Sequence, residues 1–94
     1  MENFNDMDQN LDILAEEYAE VIQMCSKWKR FGLNNYSPLD EKCTPNWKLL
    51  EQELGDVLAM ISVICAHSPM TLDEIIVSSR NKLIKLEKFY IKRK

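Results

Sequence analysis

The chain has 94 residues, 46% of them hydrophobic and 29% charged, with a formal net charge of −3. This length points to one domain, residues 1–94, which buries only about 60–65% of the surface its unfolded form exposes. With two glycines, three prolines and no strand-like alternation, a turn-rich β fold is excluded, and the longest apolar run, VLAMISVICA at 57–66, is too short to span a bilayer.

The N-terminal stretch MENFNDMDQN is acidic and polar, unlike a secretory signal, so a cytoplasmic location is expected. The first helix should begin near Asp8 and run to about Phe31. Leu11, Leu14, Ala15, Tyr18, Val21, Ile22, Cys25 and Trp28 recur at steps of three and one, which traces one face of a 3.6-residue helix. Gly32, after the basic turn KWKR, should stop it. Residues 33–45, LNNYSPLDEKCTP, read as a loop with room for one helical turn after Pro38.

The second helix should span about 46–66, with Leu50, Leu54, Val57, Leu58, Ile61, Ile64 and Cys65 on its core side, and HSP at 67–69 should end it. The third opens with TLDE, where Thr71 and Glu74 have the spacing of a capping box. It carries Leu72, Ile75, Ile76, Leu83, Leu86 and Tyr90 toward the core. The expected fold is therefore all-α, an antiparallel bundle of about three helices. Its apolar load is high for so little interior, which favours completion by oligomerisation into a dimer or tetramer. Cys25, Cys43 and Cys65 have no CxxC spacing and are read as small core hydrophobes in a reducing compartment. Charge is uneven: residues 80–94 hold seven basic residues and one acid, a net of +6, while residues 1–79 carry −9. Charge pairing within or between subunits accounts for such a split, which is a hint only.

One internal echo stands out. EYAEVIQM at 17–24 aligns with ELGDVLAM at 53–60, sharing E-x-x-[ED]-V-[IL]-x-M. The offset of 36 residues is ten helical turns. Glu17 and Glu20, and likewise Glu53 and Asp56, point the same way from consecutive turns; Glu17 and Glu53 lie on the flank of the apolar stripe, and Glu20 and Asp56 further round. Glu16 is near Glu20 on the next turn. This second face also holds Ile13, Met24 and Phe31 on the first helix, and Leu49, Met60 and Val63 on the second. Acids set among hydrophobes are not an ordinary solvated face. Two such helices side by side would aim four carboxylates into one space, a setting for a hard divalent cation with oxygen ligands. Di-iron carboxylate bundles use Glu-x-x-His; the single histidine, His67, does not follow a glutamate at that spacing and is read as a helix-end residue. No Cys/His cluster has zinc-ligand spacing.

These motifs resemble the E-E-x-x-E … E-x-x-D signature of the MazG-like, all-α nucleoside triphosphate pyrophosphohydrolases. The resemblance runs from EEYAE through CSKWKRFG, PNWKLLEQELGDVLAMI and NKLIKLEKFY, and covers about residues 11–91. It is closest to the short, single-domain members common in bacteriophages. It implies dimers or tetramers that hydrolyse a (deoxy)nucleoside triphosphate to the monophosphate and pyrophosphate with Mg²⁺, or with Mn²⁺. It makes Glu17, Glu20, Glu53 and Asp56 the metal ligands, and gives Glu16, Glu17 and Glu20 the catalytic roles. Glu16 would hold a second metal or position the attacking water. Lys27, Arg30, Lys82 and Lys85 would meet the phosphates, and Phe31 and Asn46, with Trp28 and Trp47, would meet the base. The 32 residues from Glu20 to Glu53 are long for the family, and the excess falls in the 33–45 loop, which is then placed to shape substrate choice. The competing reading is a non-enzymatic helical dimerisation or interaction module with an acidic face. Nucleic-acid binding through the basic tail is weaker, because the body is acidic and no recognition motif accompanies the tail.

Overall fold

A computed structural model describes residues 3–93, with side chains through Tyr90; Lys92, Arg93 and Lys94 of the basic run lie outside the described side chains. The order is α1 (Met7–Phe31), α2 (Asn46–Ala66) and α3 (Leu72–Arg93), with no strand among the described residues. The molecule is a slab of 42 × 41 × 17 Å.

Local chemistry sets the helix ends. Asp6 caps α1, its carboxylate accepting from the Gln9 N–H at 3.2 Å. Gly32 closes α1 with φ +97°, a conformation side chains resist, and its N–H donates to the Trp28 carbonyl at 2.8 Å. Pro45 supplies no side-chain cap to α2. Instead the Asn46 and Trp47 N–H groups donate to the Asn35 and Leu33 carbonyls at 2.8 and 3.1 Å, so the start of the loop satisfies donors that a helix leaves unpaired. The Asn46 Nδ2 reaches the Gly32 carbonyl at 2.9 Å and ties the same two ends together. At α3 the Thr71 hydroxyl accepts from the Glu74 N–H at 3.2 Å, the forward half of the expected capping box. The 33–45 loop has no helical turn after Pro38. It holds two tight turns, closed by the Asp40 N–H on Ser37 and the Cys43 N–H on Asp40, with Cys43 left-handed at φ +54°.

The end of α1 is tied to the start of α2, while mid-α1 glutamates meet mid-α2 acids, so the two helices run antiparallel. The buried hydrophobic side chains are Met24 on α1 and Val57, Met60, Val63 and Ile64 on α2. Burying each such side chain contributes about 1.5–3 kcal/mol. Asn10 is also buried, its Nδ2 donating to the Phe4 carbonyl at 2.9 Å, which pins the segment before α1.

The buried side matches the stripe that periodicity singles out only in part: on α2 Val57 and Ile64 are buried as expected and Leu50, Ile61 and Cys65 are half-buried, but α1 differs. The wider stripe of α1 is largely exposed, with Leu11, Tyr18 and Trp28 open and Ile22 at 69%. Leu54 and Leu58 are exposed on α2. The face carrying the carboxylates is the one turned inward, and Met24, Met60 and Val63 are its core. The physical reason is that each helix has two apolar sides and the chain supplies one close partner. Helix α3 does not supply the second: among the described residues it touches α2 and not α1. Its Leu72, Ile76, Leu83, Leu86 and Tyr90, expected in a core, are exposed, and Ile75 is half-buried. The cysteines also depart from expectation. Cys25 and Cys43 are exposed and Cys65 is half-buried, because their stripe faces outward or, for Cys43, because it sits in a turn.

Candidate functional site

Glu17 and Glu20 leave α1 one turn apart, and Glu53 and Asp56 leave α2 in the same way. Antiparallel pairing brings the four together, with one oxygen of each within 4.8 Å of the others. Glu17 and Glu53 are half-buried; Glu20 and Asp56 are exposed.

No cation of this chain is paired with the cluster among the described residues. Burial raises the Glu17 carboxyl above its usual range, with the charges of Glu20, Asp56 and Glu16 adding to it. Glu53 is pushed up to about 7, first by a shared hydrogen bond with Glu20, then by burial and by the charges of Glu20, Asp56 and Glu17. One oxygen on each inner glutamate, Glu17 Oε2 and Glu53 Oε2, is buried with no donor. Buried polar atoms are normally satisfied. An all-oxygen donor set with two orphaned acceptors fits a hard divalent cation, which would satisfy both and offset the repulsion. Glu16 is exposed, stands outside the cluster and acts on it through its charge on Glu17.

A cavity of about 230 Å³ opens beyond the acids, at the loop end of the α1–α2 pair. Lys27, Phe31 and Asn46, which the sequence puts forward as substrate contacts, line it together with Leu49. Glu20 to Lys27 and Glu53 to Asn46 are each seven residues, about 10 Å of helix at 1.5 Å per residue. Arg30 lies over the Phe31 ring at 5.3 Å. Trp28 and Trp47 are not among the cavity's walls, and Lys48 lies over the Trp47 ring at 5.7 Å. Lys82 and Lys85 are exposed on α3, which does not touch α1, so one chain does not bring them to the α1 side of the site. His67 caps α2, its N–H on the Ile64 carbonyl at 3.1 Å.

Asn35 and Tyr36 also line the cavity and were not singled out by sequence. Their only signal is the pairing of asparagine with an aromatic in a loop longer than its motif needs, and asparagine reads as a turn residue by default.

The MazG nucleotide pyrophosphohydrolase domain model matches residues 5–89, a span that contains all four carboxylates and the cavity. No curated protein and no solved structure matches the chain.

Proposed function

Because the chain belongs to the MazG nucleotide pyrophosphohydrolase family, we propose that it hydrolyses a (deoxy)nucleoside triphosphate to the monophosphate and pyrophosphate by attack of water at the α-phosphate. The observation that carries this reading is the four-carboxylate cluster with its two donorless buried oxygens. Glu17, Glu20, Glu53 and Asp56 hold Mg²⁺, or Mn²⁺ in its place. When bound, the metal polarises phosphoryl oxygens and acidifies a water. The residues supply the rest. Glu17 and Glu53, half-buried, fix the inner side of the ion site, and Glu20 and Asp56 form its solvent side. Glu16, one residue outside the cluster, is placed to orient the attacking water or to hold a further ion. Lys27, which lines the cavity seven residues after Glu20, takes phosphate charge. Arg30 does the same from the end of α1. Lys82 and Lys85 reach phosphate only from a second copy's α3 or after α3 repositions.

The assembly proposed is a homodimer or homotetramer in the cytoplasm. Exposed Leu11, Tyr18 and Ile22 on α1, Leu54 and Leu58 on α2, and the apolar face of α3 leave more hydrophobic surface open than one chain covers. The same surfaces favour the second reading, a helical interaction module without turnover.

A panel of NTPs and dNTPs with Mg²⁺, assayed for monophosphate and pyrophosphate, separates the two. The expected result is pyrophosphate release from at least one nucleotide. Orthophosphate release refutes the α-phosphate attack. No turnover, together with a melting temperature indifferent to Mg²⁺ and Mn²⁺, leaves the interaction module.

A further inference from the structure

We propose that the cavity at the loop end of the α1–α2 pair is the base subsite, with Tyr36 and Asn35 of the 33–45 loop as its specificity-determining residues. This rests on the pyrophosphohydrolase reading and names which part of the nucleotide goes where. About 230 Å³ is below the roughly 300–1,000 Å³ of pockets that enclose a drug-sized ligand, so the cavity takes one part of a nucleotide and not the whole. Phe31, Tyr36 and Leu49 give it apolar walls suited to a flat heterocycle. Lys27 stands at its border on the same helical row as Glu20, so the phosphate end is set toward the acids and the apolar end away from them.

The polar groups are pre-set. Asn46 is 4% exposed, and its Nδ2 is committed to the Gly32 carbonyl at 2.9 Å. A carbonyl partner fixes the amide orientation, so Asn46 offers Oδ1, an acceptor. Asn35 is oriented the opposite way. Its Oδ1 accepts from the Tyr36 N–H at 2.9 Å, so it offers the Nδ2 hydrogens. A fixed acceptor and a fixed donor beside apolar walls are what discriminates one base edge from another, because a mismatched base leaves one of them unpaired. The backbone of Asn35 is held by the Asn46 N–H, so this wall is anchored to the same helix that carries Glu53 and Asp56.

The test compares kcat/KM over the four bases for the wild type, Tyr36→Ala and Asn35→Ala, with inorganic tripolyphosphate as a base-free competitor. Each substitution should reduce the ratio between the best and worst base by about tenfold or more, mainly through KM, while inhibition by tripolyphosphate stays the same. An unchanged ratio in both variants overturns the proposal. So does an equal loss of tripolyphosphate inhibition, because the residues would then be acting on the fold or the metal site. If the wild type turns over no nucleotide, the enzymatic reading fails on its own. Metal-free NMR titration with nucleoside monophosphates then decides the cavity: shifts at Phe31 and Tyr36 support it, and their absence overturns it.

Discussion

Two carboxylates of this chain, Asp40 and Glu53, have the same chemistry and opposite surroundings. Asp40 sits in the loop, where its Oδ1 accepts from the Lys42 N–H at 2.9 Å and its Oδ2 from the Thr44 N–H at 3.0 Å. Those backbone donors, Thr44 first, hold it below the ordinary aspartate range. Glu53 sits between two helices whose own N–H groups are spent in their ladders. Its neighbours are three more acids, and its carboxyl is pushed up to about 7. The turn folds around a charge that the chain itself satisfies. The helix pair holds a charge that the chain leaves for something else to satisfy. A carboxylate supplied with backbone donors is a structural part; a group of them without such donors could hold a cation.

Removing a ligand should have the largest effect on that contrast. Glu20→Gln or Asp56→Asn should lower metal-dependent turnover at least about 100-fold, since changes even to residues behind the ligands cost 10–100-fold, with helicity by circular dichroism unchanged. Full activity in both would remove these acids from the site. Metal addition comes next. Mg²⁺ or Mn²⁺ at 100 times its dissociation constant should stabilise the fold by about 2.7 kcal/mol, read as a rise in melting temperature that Asp56→Asn abolishes.

The pH response sharpens the contrast because the two groups carry opposite signs. Glu53 holds its proton to about 7 in the metal-free fold, against 4.5 for an ordinary glutamate. The unfolded chain therefore releases that proton first. Its contribution to stability is present below pH 4.5 and is lost as pH rises toward 7. In EDTA the melting temperature should fall across that window, and Glu53→Gln should flatten the fall. Metal should restore most at the alkaline side, where the ligands are deprotonated. Asp40 contributes in the reverse sense: its share is present above the ordinary aspartate value of 3.8 and is lost on acidification. Asp40→Ala should give the smallest effect, a modest drop in melting temperature at neutral pH with metal affinity unchanged.

The helices were legible because periodicity, Gly32 and the Thr71 cap are local signals, and the observed bounds Met7–Phe31 and Asn46–Ala66 lie close to those expected. The convergence of the acids was legible because an echo in phase puts each pair in the same relation to its own stripe. Which stripe turns inward was legible in part on α2, where Val57 and Ile64 are buried as expected, and not on α1. Periodicity tells which residues share a face of a helix; it does not tell which face meets which neighbour. Tyr18 and Leu54 mark the centre of the more apolar stripes, yet both are exposed, and the acid-bearing faces meet instead. The cavity was half legible. Phe31 and Asn46 lie at helix ends where motifs point, while Asn35 and Tyr36 depend on how a loop without periodicity returns to α2.

The 33–45 loop is in two parts with different mechanical freedom. Residues 32–35 are bonded to the first turn of α2 through three carbonyls, whereas 37–44 fold on themselves around Asp40. Length changes near Glu41 and Lys42 would therefore alter the rim of the cavity while leaving the register of the two acidic helices in place. The chain has in this loop a segment that can drift, be lengthened or be grafted from another sequence, hinged on a clamp that keeps the chemistry still.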